Sequence, residues 1–443
     1  MVVNRRHVVQ ALLASGVLIG GQERVNAAVS AEAASAIAAK SLTLNNGFRA
    51  HLIANNSQYI TATLILRSSE IRASDGLGHL LEHTSFVGAA GNYEARQISQ
   101  MHQDYIQESN AFTAPGLIQW EVSFLPKYLP QVLDLLALTS LDQKCDVDTV
   151  RQEARVVLQE LYLDRYDAKF GHRKLFDAAL FGSRHPYGVD TTESEIATAK
   201  KPPERLAAEL RQYAQTIRLP ANMQLFLAGG FDPDLTGSML LKSFGGFPYA
   251  RGPMLAVPQA PVTVVHRAFS ALSAELRRPL SQVKIAWNTG VSVTHAEAKV
   301  VLALSEYLNA MLFRSLRERH GDAYAPVASY QPDECSGIFE INIPSTEASR
   351  RLERKVFDGI TALKANIDAS ELLRFRDRVE LKRRKNAESN EAVVERLVQR
   401  AVDGGSIYDL NLETVTPDNV LAAARKYLPA YEGAYVRLSL IGR

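Results

Sequence analysis

From about Ser41 the chain settles into regular alternation of apolar and polar positions. "FRAHLIANN" and "YITATLILRSS" are rich in β-branched residues and partly alternate, which predicts two strands. The period then lengthens. In "GLGHLLEHTSF", residues 76 to 86, apolar positions recur at helical spacing, and "YEARQISQMHQDY" predicts a second helix. "NAFTAPGLIQWEVSFL" predicts two strands joined by a turn at Pro115-Gly116. "YLPQVLDLLALTSL" and the longer "DVDTVRQEARVVLQELYLDRY" predict helices. Asp146 and Asp148 open the longer one, where the helix dipole favours acidic groups. "RLAAELRQYAQTI" follows as a helix and "NMQLFLAGGF" as a strand ending in paired glycines.

"GGFPYARGPMLAVPQAPV", residues 245 to 262, is rich in Pro and Gly and is the best linker in the chain. Beyond it the order of elements recurs. "SQVKIAWNTGVS" is a strand, and "THAEAKVVLALSEYLNAMLFRSLRERHG" a long helix broken at Gly321. "AYAPVASYQ" and "GIFEINIPS" are paired strands, and "RRLERKVFDGITALKA" is helical. The match lies in element order rather than residue identity. It predicts a duplicated α+β unit: a first domain over 41–247, a linker over 248–262 and a second domain over 263–443.

Composition narrows the possibilities. The chain has 443 residues, 46% of them hydrophobic and 22% charged, as ordinary globular proteins do. The formal net charge is +2 with no basic tract, so no nucleic-acid partner is expected. The first 27 residues look like an export signal: Arg5 and Arg6, an apolar run from Val8 to about Gly21, then Val25-Asn26-Ala27 as a cleavage site. "NRRHVVQ" also partly resembles a twin-arginine signal. Cleavage would remove Arg5, Arg6, Arg24 and Glu23 and leave a formally neutral, periplasmic protein with no membrane span. Cys145 and Cys335 could pair outside the cytoplasm or remain separate thiols.

The chemistry concentrates in "HLLEH". Positions i and i+4 of a helix lie on one face, so His79 and His83 can present two imidazoles to one metal ion. Glu82 borders that face and can reach a water there. A zinc site needs at least one more protein ligand and an open position. The helix "RQEARVVLQELYLDR" offers Glu153 and Glu160, seven apart and thus on one face. Glu160 could bind the metal, and Glu153 could orient a ligand histidine. By itself the motif also fits an amphipathic helix with a polar outer face.

Taken together, these segments resemble the pitrilysin/insulinase family of inverted-motif (HxxEH) zinc peptidases, which includes the mitochondrial processing peptidase. "GLGHLLEH" resembles the family signature, and Glu160 lies 77 residues after His83, at the family's spacing for the third ligand. "NAFTA" (110–114) resembles its substrate-binding strand and "RHPYG" (184–188) a family loop. "LRERHGDAYAP" resembles a segment with an arginine and a tyrosine seven apart, here Arg317 and Tyr324. The resemblance covers nearly all of the chain after the leader. It implies two α/β-sandwich-like units, each with a mostly antiparallel sheet packed against helices. It also implies one Zn2+ per chain on His79, His83 and Glu160, with Glu153 supporting them and Glu82 as general base. Tyr324 would donate to the oxyanion and Arg317 would hold the substrate backbone. Asn110 and Ala111 would lie on an edge strand that an extended peptide lengthens. The departures are Thr84, Ser85 and Val87 after the motif, and Pro115, which cannot donate a backbone hydrogen bond.

The expected function is a zinc endopeptidase acting on peptides or unfolded segments. The rival is a non-catalytic subunit that keeps the fold and binds peptides or an active relative. Full-size family members carry four such units and this chain two. A dimer is therefore expected, either of identical chains or with a related chain, each zinc facing Arg317 and Tyr324 of the partner chain.

Overall fold

In the computed structural model the described residues are 38–442, apart from 73–74, 167, 274–275 and 348. The expected export signal lies outside them. The first sheet contains β1 (Ala38–Thr43), β2 (Arg49–Ala54), β3 (Ile60–Arg67), β4 (Glu108–Ala114), β5 (Leu117–Phe124) and β6 (Met223–Gly229). Their order is β1-β2-β6-β3-β5-β4, which leaves β4 on an edge. The second sheet contains β7 (Arg267–Ser273), β8 (Ser281–Asn288), β9 (Val327–Pro332), β10 (Gly337–Ser345) and β11 (Val436–Gly442), in the order β7-β11-β8-β10-β9.

With β1 set aside, the two sheets correspond strand for strand. In each, one pair is parallel, β2 with β6 and β7 with β11. The other pairings are antiparallel. In each, the last strand of the unit inserts between the first two of the shared set. The duplicated α+β fold expected from element order is therefore present, although β1, β7 and β11 gave no clear signal in the sequence. Central β3 and β6 are buried along nearly their whole length, and both are near-continuous apolar runs, as strands covered on both faces require.

The helices before the linker are α1 (Leu77–Thr84), α2 (Ala95–Tyr105), α3 (Leu129–Leu141), α4 (Val147–Tyr166), α5 (Ala168–Phe181), α6 (Thr192–Ala199), α7 (Pro203–Ile217) and α8 (Pro233–Phe244). After it come α9 (Ala298–Leu312), α10 (Ser349–Ala365), α11 (Ala369–Ala387), α12 (Asn390–Asp403) and α13 (Pro417–Tyr427).

The chain forms two compact units. One runs through Leu161 and resumes at Thr191–Ala256; the other joins Tyr162–Asp190 to the chain from Val257 onward. The segment 162–190, expected within the first domain, thus packs with the second. The reason is visible in its side chains. Phe176, Leu180 and Phe181 of α5 are buried against Ala271, Ala286, Ile338, Leu438 and Leu440 on one face of the second sheet. The alternate residues Val283, Ile285, Trp287, Phe339 and Ile341 face the opposite way, into a core with α9 and α10. The unit boundary between Ala256 and Val257 falls inside the Pro/Gly-rich linker.

The long helix expected up to Gly321 is not uniform. Regular α-helix ends at Leu312, and Phe313–Arg319 widens into a π-helical stretch. Gly321 then takes φ +64, the left-handed stop that glycine permits.

Candidate metal centre

α1 is short and tightly seated. It starts at Gly76, whose left-handed φ of +67 suits glycine, and Asp75 Oδ1 accepts from the Leu77 amide at 3.1 Å. Leu80 and Leu81 are buried, each contributing about 1.5–3 kcal/mol of transfer free energy. At the other end the hydroxyls of Thr84 and Ser85 donate to the Leu81 carbonyl at 3.0 and 2.8 Å, and Gln143 Nε2 donates to the Thr84 carbonyl at 2.5 Å. This helix holds His79 and His83 one turn apart, ring centroids separated by 4.9 Å.

α4 supplies the facing carboxylates. Asp146 accepts from the Thr149 amide at 2.8 Å at its start, and Val150, Ala154, Val157 and Leu161 form its buried stripe. Glu160 Oε2 lies 3.6 Å from His79 Nε2 and 3.4 Å from His83 Nε2. One donor atom from each of His79, His83 and Glu160 lies within 4.8 Å of the other two. Ligands about 2.0–2.2 Å from a tetrahedral zinc stand roughly 3.3–3.6 Å apart; both Glu160 contacts fall in that range, and two imidazoles with a carboxylate are a donor chemistry that suits the ion. Both imidazoles turn Nε2 toward Glu160 and Nδ1 toward another carboxylate. His83 Nδ1 is 3.6 Å from Glu153, as the seven-residue spacing of the two glutamates allows. His79 Nδ1 is 3.1 Å from Glu195, which sequence reasoning missed.

The charges explain the ionisation states of the metal-free chain. Burial alone would lower the His79 pKa, but the Glu160 and Glu195 carboxylates more than offset it, and it is pushed up to about 10. His83 is raised in the same way by Glu153 and Glu160, against burial. Burial works against ionisation of Glu160, yet the two imidazoles hold its pKa well below the carboxylate range. Glu82 goes the other way. Burial pushes its pKa up, only partly countered by His79, a 2.7 Å hydrogen bond from Thr113 and His83.

His79, Glu82, His83 and Glu160 line a cavity of about 350 Å³ whose other wall is β4. Thr113 belongs to that strand, so the same strand that supports Glu82 forms the sheet's open edge. Asn110 pairs in register with Glu121 and Ala111 with Trp120, and both line the cavity. Pro115 lies just beyond the strand's end at Ala114, where no ladder donor is needed. The unit thus gathers His79, Glu82, His83, Glu153, Glu160, Asn110 and Ala111. Arg317 and Tyr324 belong to the other unit. They meet each other there, the guanidinium 4.7 Å from the centre of the Tyr324 ring and 5.0 Å from that of Phe313. Tyr324 is 76% exposed, so its hydroxyl is open to a ligand. Cys145 is a buried free thiol. Among the described residues no helix is long and apolar enough to cross a membrane.

Comparison with known proteins bears on the family and the fold. Residues 68–178 match the family model described as Insulinase (Peptidase family M16), and residues 206–379 the one described as Peptidase M16 inactive domain. A Mycobacterium leprae protein named an uncharacterized zinc protease is 28% identical over 272 residues, 60% of this chain and 59% of that relative. The chain therefore aligns with less than two thirds of that relative's length. A protease from Helicobacter pylori has the same fold, with a TM-score of 0.76 at 17% identity over 91% of this chain and 99% of that one. The periplasmic protease PqqL from Escherichia coli matches with a TM-score of 0.73 at 14% identity, over 91% of this chain but 47% of its own.

Proposed function

The chain belongs to the insulinase family of peptidases, peptidase family M16, and from that premise we propose that it is a zinc-dependent endopeptidase acting on peptides and unfolded polypeptide segments. The observation that carries this reading is the convergence of His79 Nε2, His83 Nε2 and Glu160 Oε2 in a cavity walled by an open sheet edge. The inactive-domain match falls on 206–379, a segment without these three residues, and so does not count against catalysis in the first unit.

His79, His83 and Glu160 would hold the metal, and Glu153 would orient His83. Zinc, when bound, supplies Lewis acidity that acidifies water and polarises a carbonyl. Glu82 takes the proton of the attacking water and passes it to the departing nitrogen. Its buried, raised pKa suits that exchange, and Thr113 keeps one oxygen in place. An extended peptide adds to β4 beside Asn110 and Ala111 through main-chain hydrogen bonds, so side chains set preference rather than permission. Arg317 holds a substrate carbonyl, and Tyr324 donates to the oxyanion.

The zinc set and the Arg317–Tyr324 pair lie on different units, and the fold of this chain accounts for about half of PqqL. Both facts support a pair of chains that share sites, either two copies or this chain with a related one. The expected leader and the periplasmic setting named for PqqL support export.

The test is metal content together with cleavage. Purified protein from about Ala28 should hold one zinc per chain, and His83→Ala should lose the zinc and all cleavage of unstructured peptides. A wild-type chain that stays zinc-free in stoichiometric zinc would refute the reading.

A further inference from the structure

We propose that Glu195 is a positioning residue for His79, fixing the imidazole tautomer that leaves Nε2 free to bind metal; this rests on the zinc reading above. The side chain of His79 is buried, and its two nitrogens face opposite ways, Nε2 to Glu160 at 3.6 Å and Nδ1 to Glu195 at 3.1 Å. A neutral imidazole carries one N–H. A carboxylate at Nδ1 takes that hydrogen as an acceptor, so the lone pair stands at Nε2 and the ring becomes a stronger donor to metal.

Three further observations show that Glu195 is built in. Thr191, just before α6, donates its hydroxyl to Glu195 Oε1 at 2.5 Å, which leaves Oε2 for His79. The Glu195 side chain is 13% exposed, so water competes little for it. Gly76, which opens the histidine helix, lies directly against it. A Cβ there would sit 3.1 Å from Glu195 Cα and 3.2 Å from its Cγ. A side chain at position 76 would therefore push α6 away from α1. Each metal-facing histidine thus has its own carboxylate, Glu153 for His83 and Glu195 for His79, and the Glu195 contact is the shorter of the two.

The experiment measures zinc affinity by competition with a chromophoric chelator, alongside melting of the metal-free chain. Glu195→Gln should raise the zinc Kd about 10- to 100-fold. At saturating zinc its kcat should fall while KM stays near wild type. Thr191→Val, which frees one oxygen of Glu195, should give a smaller rise in Kd. A purely structural role would lower the melting temperature without moving Kd. If Glu195→Gln folds and binds zinc within twofold of wild type, the proposal is overturned. Should that variant not fold, Thr191→Val and Glu195→Asp decide: unchanged Kd in both overturns it as well. Failure of the underlying zinc reading looks different, because then the wild-type chain itself binds no zinc.

Discussion

Thr113→Val isolates the support of Glu82, the proposed general base. The substitution keeps side-chain shape and removes the hydroxyl that donates to Glu82 Oε2 at 2.7 Å. Burial already pushes the Glu82 pKa up, with His79, Thr113 and His83 acting against it. A hydrogen bond to an ionised carboxylate contributes about 1.5–3 kcal/mol, so losing it disfavours the charged form by that much. Glu82 acts as a base only when ionised. Its folded-state pKa rises further in the variant, and the acid limb of the kcat/KM profile moves to higher pH. The limb moves by about one to two pH units; on its acid side the loss is about 10- to 150-fold, and it shrinks as the solution becomes alkaline. The hydroxyl reaches Glu82 and, at 3.4 Å, the Gly78 carbonyl, but none of His79, His83 or Glu160, so zinc Kd should not change. The assay is kcat/KM on one fluorogenic peptide from about pH 5 to 9, with Thr113→Ser as the variant that keeps the donor. A Thr113→Val profile that overlays wild type would refute the argument. So would a pH-independent loss with weakened zinc binding, since the hydroxyl would then be supporting the metal set.

Zinc uptake should release protons. In the metal-free chain His79 keeps its proton up to about pH 10, and only the neutral ring can bind metal, so affinity should rise by at least about tenfold per pH unit near neutrality, with His83 adding to the slope where it too is protonated. Calorimetry in buffers of different ionisation enthalpy reads this directly, and uptake without proton release would contradict it. The same shifts set the stability of the metal-free chain. The His79 contribution is complete below its ordinary value of 6.5 and is lost as pH rises through about 10; that of Glu160 is complete above 4.5 and is lost on acidification. Tyr324→Phe should lower kcat by about 10²- to 10³-fold with little change in KM. Mixing it with Glu82→Gln chains should restore activity above either variant alone if two chains share their sites; exchange without recovery would exclude the shared site.

Local periodicity carried much of the fold and of the centre. His79 and His83 were legible because a helix places residues four apart on one face, and Glu153 and Glu160 because seven residues make two turns. Joining the two helices took the family resemblance, since no local rule connects His83 to a glutamate 77 positions later. Glu195 had no such signal. It sits beyond the 162–190 segment that packs on the second sheet, and neither helical spacing nor a motif ties it to His79. The destination of α5 was hidden for a similar reason: an apolar stripe of Phe176, Leu180 and Phe181 fits whichever sheet lacks a cover. β1 was obscure because "AAKSLT" has little β-branched character and gains its order by pairing with β2. The π-helical stretch that carries Arg317 follows an unbroken helical pattern, so periodicity alone gave no sign of its widening.

The central claim meets its most direct test in a comparison of wild-type chain and Glu82→Gln, both loaded with zinc, on a mixed pool of unstructured peptides followed by mass spectrometry. Glu82 contributes no metal ligand in this arrangement, so both proteins should hold one zinc per chain, and only wild type should cleave. Equal cleavage by the two would contradict the account, because the proton transfer assigned to Glu82 would then be unnecessary.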